Sequence, residues 1–191
     1  MNTIRLACLA AAFACSAAAH AAPLLTKDEM KAHKVRIEEQ YDNAQKRCRR
    51  VQGHARELCN EQARGERDVQ SAELRMQAEP SPENDQKVRL AKAEAAYSMA
   101  LIRCKPLDGS ARSVCRDDAK MVFNDAKTEA RLQREVAAQT LRAESTVRER
   151  TAVADRINES QFNAARERCE VLPPEGRENC LADAKRRFGK I

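Results

Sequence analysis

Residues 41–63 read YDNAQKRCRRVQGHARELCNEQA, residues 97–119 read YSMALIRCKPLDGSARSVCRDDA, and residues 162–184 read FNAARERCEVLPPEGRENCLADA. Set one under another, they are one unit written three times. Each opens on an aromatic residue (Tyr41, Tyr97, Phe162) seven positions before a cysteine. Alanine stands four before that cysteine (Ala44, Ala100, Ala165) and arginine directly before it (Arg47, Arg103, Arg168). A second cysteine follows after ten residues, with Arg56, Arg112 or Arg177 three before it and Ala63, Ala119 or Ala184 four after it. Beyond residue 21 the chain has five Tyr or Phe residues, and three of them fill this one slot. Self-similarity of this kind marks a repeat architecture in which each unit is one supersecondary element.

The element is a helical hairpin. Ile37, Tyr41, Ala44, Cys48 and Val51 step four and three residues along one face, as do Leu90, Ala93, Tyr97, Ala100 and Cys104. That is the narrow heptad seam that packs two helices together. Breakers then fall between the cysteines: Gly53, the run Pro106-Leu107-Asp108-Gly109, and the run Pro173-Pro174-Glu175-Gly176. Asp108 or Ser110 is placed to cap the returning helix, and Pro174 suits a first helical turn. On one unbroken helix, residues 11 apart would lie about 16 Å from each other, whereas a disulfide needs Cα atoms roughly 4.4–6.8 Å apart. The alternative is a pair of unbroken helices cross-linked twice, and prolines inside two of the three intervals argue against it. The expected bridges are Cys48–Cys59, Cys104–Cys115 and Cys169–Cys180, each worth roughly 3 kcal/mol on the chain-entropy account.

Working outward, Pro80-Ser81-Pro82-Glu83-Asn84-Asp85 reads as a linker. No Gly or Pro occurs from Ser110 to Leu172, where Val122, Ala126, Val136, Leu141, Val147, Val153 and Ile157 recur among charges. This predicts one very long helix, or two meeting at a joint near Asn158-Glu159-Ser160. The expected organisation is a signal segment 1–21, a first hairpin 22–79, a linker 80–85, a second hairpin with its long helix 86–150, and a third hairpin 151–191. The fold class is all-α, extended or loosely bundled. Each seam suffices to join two helices but not six, so the hairpins are expected as modules on a rod without a shared core.

Composition agrees. The 191 residues carry 35 Lys plus Arg against 29 Asp plus Glu, for a net charge of +6. The apolar fraction is 42%, yet 34 of those residues are Ala and aromatics make up 3%. A large sheet core, a polytopic membrane protein and a collagen-like chain are excluded. Met1–Arg5, Leu6–Cys15 and Ser16–Ala21 have the n-, h- and c-regions of an export signal, and Ala19-His20-Ala21 places cleavage between Ala21 and Ala22. The rival reading of Cys15 as a lipidated start lacks the expected Leu three residues earlier. The apolar run is shorter than the roughly 20 residues of a membrane span. Six cysteines in even pairs on an exported chain read as disulfides of an oxidising compartment, periplasmic or secreted. Zinc spacing and a redox C-x-x-C are both missing.

With Arg-Cys, a Gly-containing loop, Ala-Arg-x-x-Cys and a downstream Ala, the tandem unit resembles a group of small exported proteobacterial proteins. They are often labelled cell-envelope biogenesis or TolA-like. The resemblance spans about Val35 to Lys190 and implies an envelope location and a helical fold, with no functional residue assigned. No G-x-S-x-G, H-E-x-x-H, P-loop or dinucleotide fingerprint occurs. No enzyme activity, cofactor or metal is therefore expected, and His54 reads as a solvated residue at a helix start. Basic clusters at Lys46-Arg47, Arg49-Arg50 and Lys185-Arg186-Arg187 are interleaved with acids. They permit weak contact with anionic lipid or polysaccharide, while nucleic acid is not expected, since single-strand binding needs exposed stacking rings. The expected function is a non-enzymatic structural or interaction protein of the envelope that works through protein partners. The alternative is a periplasmic chaperone-like or stress-response binder of unfolded clients.

Overall fold

The first helix begins where Thr26 and Glu29 close a capping box, the threonine hydroxyl accepting from the Glu29 N–H and the glutamate accepting from the Thr26 N–H. In the computed structural model, which describes residues 25–190, five helices follow one another. They are α1 (Lys27–Cys48), α2 (Gly53–Ala78), α3 (Pro82–Cys104), α4 (Gly109–Glu170) and α5 (Pro174–Arg187), with no strand among the described residues. The signal segment, with Cys8, Cys15 and the expected cleavage between Ala21 and Ala22, lies outside the described residues.

The three bridges form as the spacing predicts. Cα separations are 5.5 Å for Cys48–Cys59, 5.8 Å for Cys104–Cys115 and 5.6 Å for Cys169–Cys180. In the first two units the returning helix starts on a glycine with positive φ, Gly53 at 57° and Gly109 at 53°, a backbone state that a Cβ opposes. Pro174 holds that slot in the third unit, so its loop turns differently and the helix starts on a proline at its first position. The expected caps at the second loop are not made. Asp108 stands at the N-cap position, but its carboxylate meets the Arg112 guanidinium at 3.4 Å and leaves the helix N–H groups alone.

Among the described residues each helix packs only on its neighbours in sequence: α1 on α2, α2 on α3, α3 on α4 and α4 on α5. Helices α1, α2, α3 and the first part of α4 therefore form a single antiparallel layer, not a closed bundle. Two sequence expectations change here. The linker is shorter than 80–85, because Pro82–Asp85 already coil as the first turn of α3. Ser81 accepts from the Asn84 N–H, and the buried Asn84 amide donates to the Glu79 carbonyl at 2.7 Å. The first two hairpins are also not separate modules. Glycine at position 65 lets α2 approach α3 so closely that a Cβ there would stand 2.8 Å from the Ala95 Cβ. Ion pairs Glu73–Lys92 at 2.7 Å and Glu57–Lys105 at 2.6 Å cross the same junction.

The long breaker-free segment is one helix of 62 residues, about 93 Å from end to end. There is no joint at Asn158-Glu159-Ser160. The Asn158 amide instead donates to the Phe188 carbonyl at 3.2 Å and Glu159 pairs with Lys190, so this point docks the end of α5.

Candidate interaction surfaces

The seam residues read from the repeat all lie inside the hairpins. Cys48, Cys104 and Cys169 are the most deeply buried large side chains, and Ala44 is buried with Ile37 on the same face of α1. Tyr41, Tyr97, Ala100, Phe162 and Ala165 are half-buried. Each aromatic finds its partner in one shared slot, eight residues after the second cysteine of its unit. Tyr97 stacks on Phe123 with centroids 4.8 Å apart, Phe162 meets Phe188 edge-on at 6.2 Å, and Tyr41 lies under the Arg67 guanidinium at 4.6 Å. The sequence reading missed this slot, although extending the alignment by four residues past Ala63, Ala119 and Ala184 would have exposed it. With it, all five aromatics of the described chain belong to hairpin seams.

The repeated arginines divide into two groups. Arg56, Arg112 and Arg177 each donate to a loop carbonyl five residues back: Val51 at 2.7 Å, Leu107 at 2.5 Å and Leu172 at 3.2 Å. These three hold the loop closed across the bridge, a structural duty that the sequence reading left open. Arg47, Arg103 and Arg168 stay exposed in the last turn of their helices, where the helix dipole favours a cation. Arg67 is fixed as well, by Asp68 at 2.7 Å, which also holds its guanidinium pKa up. The Lys105 ammonium beside Glu57 holds that carboxyl below its ordinary value.

Two open grooves run along the layer. One, of about 520 Å³, lies between α2 and α3 and is floored by Gly65, Val69, Ala95, Ala96 and Met99. The other, of about 300 Å³, lies between α3 and α4 and is lined by Ala96, Tyr97, Val122 and Phe123 among others. Both share Ala96, so they open on one face. Small side chains make these grooves, since alanine cannot fill the valley between helix axes.

The third surface is α4 itself. From Gln139 to Ile157 every residue is exposed, a run of 19 consecutive helical residues. Leu132, Val136, Leu141, Val147, Val153 and Ile157 are between 41% and 64% exposed. Among the described residues no helix is long and apolar enough to cross a membrane, and no group of three or more His, Cys, Asp or Glu could hold a metal ion. Set against family models, curated proteins and solved structures, the chain matches none.

Proposed function

We propose that the protein is a non-enzymatic structural or interaction protein of the bacterial cell envelope, a helical scaffold exported to the periplasm and held rigid by its three bridges. The observation that carries this reading is the bare middle of α4. Cys115 and Cys169 are 54 residues apart on one helix, about 80 Å, with stapled hairpins at both ends and exposed helix between. Such an element sets a distance between two surfaces and needs no reaction centre. The bridges favour an oxidising compartment, and the A-x-A signal and the resemblance to TolA-like exported proteins point the same way.

The paired apolar grooves favour a second reading, a chaperone-like binder that shelters short apolar segments of unfolded clients. Chemical crosslinking in intact cells, followed by periplasmic extraction and mass spectrometry, separates the two. A defined partner bound stoichiometrically supports the scaffold, and a broad set of unfolded chains supports the binder. Retention of the full-length chain in the cytoplasm, with the cysteines reduced, would end both.

A further inference from the structure

Seven of the nine large exposed aliphatic residues of α4 face within about 120° of one another, taking about 100° per residue. Over residues 132–157 the positions Leu132, Val136, Gln139, Ala143, Thr146, Arg150, Val153 and Ile157 follow the alternating steps of four and three that define a heptad seam. Neither neighbour stands on it: Phe123 and the buried Ala130 face α3, while Asn158 and Phe162 face α5. A four-three seam over three to four heptads, apolar at both ends and charged along one flank, is a pattern that a partner helix can cover as a coiled coil.

We propose that this partner is a second copy of the chain, with the two α4 helices antiparallel and centred between residues 144 and 145. The charge pattern selects this occupant and this direction. Aligning residue i with residue 289 minus i pairs every seam position with a seam position of the other copy. Leu132 meets Ile157, Val136 meets Val153, Gln139 meets Arg150, and Ala143 meets Thr146. The apolar layers lie at the ends and the polar layers in the middle.

The residues flanking the seam on one side are Glu135, Arg142, Glu149 and Arg156, all exposed. In this register Glu135 comes opposite Arg156 and Arg142 opposite Glu149, so all four contacts of the two-fold dimer join opposite charges. Glu135 also has Arg134 of its own chain at 3.6 Å, an exposed contact that leaves it accessible. The other flank carries Gln133, Thr140, Val147 and Ala154, without charge. A parallel, in-register pair would stack Arg150 on Arg150 and set Glu135, Arg142, Glu149 and Arg156 against the uncharged Thr140, Val147, Ala154 and Gln161. Like charges in one layer oppose association, so the parallel pair loses on both counts. This inference is independent of where in the cell the protein works.

Sedimentation equilibrium on the oxidised chain is the test, with helicity followed by circular dichroism. The wild type is expected to reach twice the chain mass in a concentration-dependent way. Glu135→Arg with Glu149→Arg, and separately Arg142→Glu with Arg156→Glu, should each weaken self-association at least about tenfold, since every flanking pair becomes repulsive. Mixing the two variants should restore a dimer. A wild type that stays monomeric to roughly 100 µM, weaker than ordinary specific complexes, would overturn the proposal and leave the seam to another protein. A dimer indifferent to both charge reversals would overturn the antiparallel alignment.

Discussion

Replacing Gly65 by alanine tests whether the first two hairpins are one packed body. The added Cβ would stand 2.8 Å from the Ala95 Cβ, and ordinary contact begins at 3.4 Å. The two helices must therefore separate by about 0.6 Å along this line, and overpacking of this kind costs typically about 1–3 kcal/mol. Against it, Gly to Ala within a helix gains about 0.8–1.0 kcal/mol. Gly65→Ala alone should thus be destabilising by about 0–2 kcal/mol, a modest figure that by itself decides little. The double-mutant cycle decides. With Ala95→Gly in place the nearest remaining atom is the Ala95 Cα at 3.5 Å, the collision is gone, and Gly65→Ala should now stabilise by its full helix gain. Urea unfolding of the oxidised single and double variants should return a coupling of about 1–3 kcal/mol. Additivity within about 0.5 kcal/mol is the rule for residues that do not touch. That result would show that α2 and α3 do not meet at this point, and the hairpins would be independent modules.

Other outcomes follow from the same geometry. Non-reducing peptide mapping should recover Cys48–Cys59, Cys104–Cys115 and Cys169–Cys180 and no bridge between units. Replacing Cys169 and Cys180 by serine should cost roughly 3 kcal/mol locally and strip amide protection from α5, whose 14 residues are near the length at which isolated helices fail. Protection in α1–α3 should be unchanged. Arg112→Ala removes the donor to the Leu107 carbonyl and should cost about 0.5–1.5 kcal/mol, with faster amide exchange confined to residues 105–109. Glu57 has its folded pKa lowered by Lys105, so its contribution is present above the unfolded carboxylate value and is lost as pH falls through the depressed folded value. An NMR titration should place the Glu57 midpoint below that of an ordinary glutamate, and Lys105→Ala should bring it back.

What could be read from the chain was what the repeat encodes locally. Three bridges and helical hairpins follow from spacing, glycine and proline alone, because each depends on residues within about a dozen positions, whereas the breaker-free run from Ser110 to Leu172 allowed either one helix or two, and the structure shows one. The α2–α3 packing was not legible. Its cause is a glycine in mid-helix at position 65, which by propensity reads only as a weak point, and its partner Ala95 lies 30 residues away. The loop-holding role of Arg56, Arg112 and Arg177 was visible as a pattern but not as a contact, since an arginine three residues before a cysteine could as well face solvent. Asn158 misled for a physical reason. Asn is a poor helix former that favours turns, and here its amide is occupied by the Phe188 carbonyl from α5.

The composition of the bare stretch of α4 carries one more argument. A helix that had only to stand alone as a spacer would be built from Ala, Glu, Lys and Arg, with ion pairs four residues apart, such as the one between Glu144 and Arg148. Nucleation is not its difficulty, since the hairpins on both sides supply formed helix for it to continue. Yet residues 136–157 contain Val136, Val147, Val153 and Ile157, β-branched side chains that lose rotamer freedom in a helix and here stand between 41% and 64% exposed. Val136, Val153 and Ile157 fall on the seam, and Val147 lies beside it. A spacer role alone gives no reason for them to be there, because each weakens the helix it sits in. Contact across a partner helix does, because a β-branched side chain at a heptad position packs well into a hole of the facing helix. The unfavourable propensity of these four residues is thus a second sign, separate from the charge pattern, that the middle of α4 is covered when the protein works.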